Sequence, residues 1–124
     1  MRDRYRILIA EDDVIVSQQL QMGLESLGYD VCDSVFCGED AIIKAEENFP
    51  DLIIMDINLA GMIDGIEAAK EITENLQIPI VFMTSYSDIK FLFRAVHLKK
   101  VQYLEKPLIM NKLRSVIETQ FAVN

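Results

Sequence analysis

Four short apolar runs in this chain end in residues that can do chemistry. Residues 7–10 lead into Glu11, Asp12 and Asp13, and residues 52–55 lead into Asp56. Residues 80–83 are followed by Thr84 and Ser85, and residues 101–104 by Glu105 and Lys106. Gathered in one place, three or more carboxylates repel one another and stay ionised only beside a cation. A hard divalent ion with oxygen ligands suits them, and Mg²⁺ binds through one or two carboxylates plus a phosphate. The ammonium of Lys106 adds a second positive charge for a phosphoryl oxygen, and the Thr84 hydroxyl can donate to another. Such a set positions and neutralises a phosphoryl group in transit. One of the carboxylates can then act as nucleophile and form an acyl phosphate. Each residue alone has a plainer explanation: a helix cap for Asp12, Asp13 or Thr84, a loop acid for Asp56, a solvated lysine for Lys106. Their joint placement at the ends of apolar runs favours the chemical reading.

The elements that must carry these residues can be read from periodicity. Residues 6–10, 30–36, 51–56, 79–83 and 101–104 are strand-length and apolar, or β-branched. Between them the period changes. Val16, Leu20, Leu24 and Leu27 share one helix face, and Gly28 stands where a helix ends. A second helix starts at Gly38 with Ala41, Ile42, Ala45 and Phe49 inward, before Pro50. Asp64 caps a third, with Ile66, Ala69 and Ile72 on one face. Ser87 or Asp88 caps a fourth reaching about His97. A fifth turns Ile109, Leu113, Val116, Ile117 and Phe121 inward. Five alternations of strand and helix predict right-handed crossovers and a parallel sheet covered on both faces. In open sheets of this kind the ligand sits beyond the C-terminal strand ends, where the reactive residues fall.

The 124 residues suit one domain, residues 1–124, with no linker or repeat inside it. Net charge is −8, from 12 basic and 20 acidic residues. This argues against direct nucleic-acid binding, which needs a basic face. No apolar run approaches the ~20 residues of a membrane span, and no signal-peptide pattern opens the chain, so a cytoplasmic location is expected. Cys32 and Cys37 are read as reduced thiols.

These motifs resemble the response-regulator receiver family, the CheY-like module of two-component signalling. The resemblance covers residues 6–121. It implies a flavodoxin-like (βα)5 fold with strand order 2-1-3-4-5. It also implies roles. Asp56 is the phosphoacceptor, and Mg²⁺ (or Mn²⁺) is held by Asp12 directly, by Glu11 through water, by Asp56 and by the backbone carbonyl of Asn58. Thr84 and Tyr103 match the family's switch pair. Ser85 stands where Ala is usual, and Lys106-Pro107 matches a pair whose peptide bond is expected cis. The phosphodonor would be a sensor histidine kinase. The chain would not be an enzyme but would assist its own phosphorylation and dephosphorylation. Phosphorylation would change the face built from the fourth helix, fifth strand and fifth helix, which could serve a homodimer, and the signal would pass to an output domain or protein. One departure lies in the loop after Asp56, which reaches Asp64-Gly65 at eight residues without a proline, one more than is common.

Two rival readings make other demands. A haloacid-dehalogenase-like phosphatase needs a second acid two residues after its nucleophile, where this chain has Asn58. A receiver-like interaction module that takes no phosphate typically lacks an acid or the lysine, and here all are present.

Overall fold

The computed structural model describes residues 4–122. Five strands and four α-helices alternate: β1 (Arg6–Ala10), α1 (Val14–Ser26), β2 (Asp30–Val35), α2 (Gly38–Asn48), β3 (Leu52–Asp56), α3 (Gly65–Asn75), β4 (Ile80–Thr84), β5 (Val101–Glu105) and α4 (Met110–Ala122). A 3-10 segment, Tyr86–Ala95, lies between β4 and β5. All pairings are parallel and the order is β2-β1-β3-β4-β5. The predicted fold class and strand order therefore hold.

Alternation along the central strands builds two cores. Leu8, Ile53, Met55, Ile80 and Phe82 face Ala41, Ala45, Ile66, Ala69 and Ile72 of α2 and α3. Ile7, Ile9, Leu52, Ile54, Val81 and Met83 face Leu20, Leu24, Leu113 and Ile117 of α1 and α4. Both faces of β3 and β4 are buried along their whole length, which explains their unbroken apolar sequences. No helix among the described residues is long and apolar enough to cross a membrane.

The helix ends follow their capping chemistry. Asp13 caps α1 by accepting from the N–H groups of Ile15 and Val16 at 3.0 and 3.2 Å. Asp64 and Glu67 form a reciprocal capping box at the start of α3. Gly28, at φ 95°, leads the chain away from α1. Tyr5, just before β1, and Phe121, in the last turn of α4, stack with ring centroids 3.8 Å apart.

Three expectations need correction. The fourth helix is a 3-10 segment capped at Ser85 rather than at Ser87 or Asp88, with Asp88 as the third residue of a reciprocal capping box, and it ends at Ala95, short of His97. Tyr86, Ser87, Asp88, Ile89, Phe91 and Phe93 are all middling helix formers, so local preference for the α form is weak there. Phe49 is 62% exposed rather than inward, because it sits past the end of α2 in a left-handed turn at φ 46°. Ile109 is 51% exposed because α4 begins one residue later and only its carbonyl, accepting from Lys112 and Leu113, joins the helix.

Candidate functional site at the carboxyl edge of the sheet

The parallel order brings the C-terminal ends of β1, β3, β4 and β5 to one edge. Glu11 follows β1 directly and is fully buried, and Asp56 ends β3 with 6% exposure. Lys106 follows β5 and bridges them. Its Nζ donates to Glu11 Oε1 at 2.8 Å and to Asp56 Oδ2 at 3.0 Å. The other Glu11 oxygen accepts from the Asp13 N–H at 3.0 Å, and Asp56 Oδ1 accepts from the Asn58 N–H at 3.2 Å. Asp12 is exposed at the rim. One oxygen from each of Glu11, Asp12 and Asp56 falls within 4.8 Å of the others. An all-oxygen set of this size, open on the Asp12 side, fits a hard divalent cation.

Burial is the main force on the charges here. It pushes the Glu11 carboxyl up from an ordinary 4.5 to about 7, against the lowering pull of Lys106 and the Asp13 N–H. Burial alone would lower the Lys106 ammonium, but its bonds to Glu11 and Asp56 outweigh that and raise it. The folded state therefore holds a proton on Glu11 at pH values where the unfolded chain has lost it. Glu11 thus favours folding at low pH, and that contribution fades as pH rises from about 4.5 to about 7. In chelator-treated protein, Glu11→Gln removes this dependence. Subtracting the variant's melting curve from the wild type's should leave a difference that changes across that window and is flat above it. A constant difference would contradict the assignment.

The remaining candidates sit around this centre. Thr84 ends β4 with 5% exposure, and its hydroxyl donates to the Ser85 carbonyl at 3.2 Å. It is not bonded to Asp56. Ser85 gives its N–H and hydroxyl to the buried carboxylate of Asp88, at 3.3 and 2.8 Å. Tyr103 lies opposite Phe82 in the β4–β5 register, 37% exposed, with ring centroids 5.8 Å apart. It rests on Phe82 and does not reach the acids. The Lys106–Pro107 peptide bond is cis. Cys32 and Cys37 are both free thiols.

Three further residues at the site have roles that their types and spacing do not reveal. Gly65, the first residue of α3, donates its N–H to the Ile57 carbonyl at 3.1 Å, and a Cβ there would collide with the Asp56 carbonyl oxygen. The only sequence signal was its place after the cap Asp64. Arg94 in the 3-10 segment forks onto Asp64, at 2.7 and 3.5 Å. Glu39, at the start of α2, accepts from the backbone of the loop after Asp56.

Known proteins resemble this chain in sequence and fold. The family described as the response regulator receiver domain matches residues 7–118. The transcriptional regulatory protein PdtaR of Mycobacterium tuberculosis is 36% identical over 91% of this chain and 55% of its own length. ZraR of Salmonella typhimurium, also a transcriptional regulatory protein, is 35% identical over 98% of the chain and 27% of its own length. The chain thus spans about half the length, or less, of these curated relatives. Among solved structures, the signal receiver domain of a modulated diguanylate cyclase from Desulfovibrio desulfuricans superposes with a TM-score of 0.90 at 36% identity, covering 97% of this chain and 95% of that one. A match over nearly the whole sheet, together with the strand order already described, means that the chain belongs to the response regulator receiver domain family, the CheY-like module of two-component systems.

Proposed function

We propose that Asp56 is a phosphoacceptor that takes its phosphoryl group from the phosphohistidine of a sensor histidine kinase. The observation that carries this reading is the Lys106 ammonium shared by two buried carboxylates, Glu11 and Asp56, with Asp12 beside them. A carboxylate oxygen of Asp56 attacks phosphorus. The P–N bond breaks, the imidazole leaves with its electron pair, and an aspartyl phosphate forms. Glu11, Asp12, Asp56 and the Asn58 carbonyl would hold Mg²⁺, or Mn²⁺. When bound, the ion supplies positive charge against the phosphoryl oxygens. Lys106 turns its ammonium from the carboxylates to a phosphoryl oxygen. Water later attacks the same phosphorus, returning the Asp56 carboxylate and inorganic phosphate. The chain is thus the substrate of its kinase and assists its own turnover.

Thr84 is the switch hydroxyl in this reading. Its bond to the Ser85 carbonyl is local and can be exchanged for one to a phosphoryl oxygen. Tyr103, half-exposed one strand away, follows it and shifts the population of the face made by the 3-10 segment, β5 and α4. Phe93 in the 3-10 segment and Val96 just past its end, 70% and 78% exposed, are apolar side chains open to an output or homodimer contact. The partner downstream is an output domain or a separate protein. The net charge of −8 speaks against nucleic acid as a direct ligand of this domain. A cytoplasmic place goes with a kinase donor.

Incubation with Mg²⁺ and a small phosphodonor, followed by intact-mass measurement, tests the reading. The wild type should gain one phosphoryl group, and chelator or Asp56→Ala should abolish the gain. A wild type that binds no Mg²⁺ and gains no mass would sink it.

A further inference from the structure

The loop after β3 is one residue longer than the common receiver pattern, yet it is held in one place. We propose that Glu39 is a positioning residue for the phosphoryl site, clamping the middle of the 57–63 loop to the start of α2 and so steadying the loop that carries Asn58 beside the acids. This inference rests on the phosphoacceptor reading above.

The two ends of the loop are tied without help from α2. The Asn58 N–H bonds Asp56, and the Gly65 N–H bonds the Ile57 carbonyl. The middle depends on residues 37–39. Cys37 and Ala60 form an isolated parallel bridge. The two Glu39 oxygens then take the next free amides. Oε2 accepts from Met62 N–H at 3.3 Å, and Oε1 from Ile63 N–H at 3.4 Å. Both bonds are long, so each is modest alone, but they come from one carboxylate and act together.

The packing leaves no room for slack. Gly61 has φ 106°, and a Cβ there would stand 2.8 Å from Glu39 Oε1 and 3.1 Å from the Cys37 Cβ. A Cβ on Gly38 would stand 2.8 Å from Ile63 Cγ1. Small residues on both sides let the loop lie flat on the helix start, and the carboxylate closes the contact. The amide of Met62 is also the main influence holding the Glu39 carboxyl below its ordinary range, as a donor to the charged form does. Groups hydrogen-bonded to a metal's ligands commonly control affinity by about 10–100-fold, and Glu39, one step further out, is expected at the low end of that range.

The test compares Glu39→Ala with Asp40→Ala in the same chain. Both remove one acidic charge from the first turn of α2, but Asp40 is exposed and makes no bond to the loop among the described residues. Calorimetric titration with Mg²⁺ should show about tenfold weaker binding for Glu39→Ala and little change for Asp40→Ala. Glu39→Gln, which keeps one carbonyl acceptor, should fall between. In metal-free protein, the Met62 and Ile63 amides should exchange with solvent faster in Glu39→Ala, while the urea midpoints of the two alanine variants stay alike. Equal weakening of Mg²⁺ binding by both variants would assign the effect to net charge and overturn the proposal, as would unchanged exchange at Met62 and Ile63. Wild type that binds no Mg²⁺ would overturn the phosphoacceptor reading and the positioning role with it. The exchange measurement would then still decide whether Glu39 holds the loop.

Discussion

Gly65→Ala should lower the free energy of unfolding by about 3 kcal/mol, the upper part of the range for forcing atoms into a packed site. Two effects compete. Alanine is the better helix former by about 1 kcal/mol in a helix interior, and by less at the first position, where the backbone is only half committed. Against this stands a collision between the new methyl and the Asp56 carbonyl oxygen, with the Ile57 Cα only 3.1 Å away. Both are backbone atoms, so no rotamer change relieves the clash. The end of β3 or the start of α3 must move, and the Gly65 N–H bond to Ile57 goes with it. The shift carries Asp56 with it, so phosphoryl uptake should fall even where the variant remains folded. Urea unfolding and intact-mass phosphorylation check the two parts. A Gly65→Ala protein as stable as the wild type would show that the contact is looser than described.

Lys106→Met should produce opposite changes in two quantities that usually move together. Without an ion, the Lys106 ammonium is the countercharge of Glu11 and Asp56. It therefore competes with a divalent cation for the same oxygens. Charges 4 Å apart interact by about 4 kcal/mol at an effective dielectric of 20. The lysine side chain is 25% exposed, so screening leaves only part of that. Mg²⁺ binding should tighten by about tenfold, or ~1.4 kcal/mol. Phosphoryl uptake should slow by about 100-fold, the usual cost of losing one charge that meets developing negative charge. Methionine keeps much of the apolar stem, so packing changes little. Titration calorimetry and the time course of mass gain read the two separately. Weaker Mg²⁺ binding together with slower uptake would point to a damaged fold and remove the case for competition.

The parts of this molecule set by alternation were readable from the chain. Residues 52–55 and 80–83 are apolar on both faces because both faces are covered, and that pattern belongs to a central parallel strand. Once the strands are parallel, their C-terminal ends share an edge, so Glu11, Asp12, Asp56, Thr84 and Lys106 had to be neighbours. Other features depended on hydrogen-bond offset and exact termini. A 3-10 turn and an α turn need similar residues over ten positions, so the sequence of residues 86–95 does not tell them apart. Phe49 and Ile109 were assigned inward because their spacing fits, although the backbone leaves the helix one residue before the first and joins it one residue after the second. Glu39 and Arg94 act across elements far apart in sequence, and neither periodicity nor capping rules mark such partners. Gly65 was visible as a residue but not as a requirement, since only the packed backbone shows what a methyl would strike.

The stacked Tyr5 and Phe121 rings bear on how this domain can be built into other chains. They bring together the residue before β1 and the last turns of α4, at the sheet edge opposite the carboxylates. Five strand residues span about 16 Å at ~3.3 Å each, so a segment joined at either end departs roughly that far from Asp56. A short linker between the ends would close the chain, and a new opening could be cut elsewhere without disturbing the acids. A reporter fused beyond Phe121 would sense phosphorylation only through movement of the fold, because the phosphoryl group itself stays out of its reach.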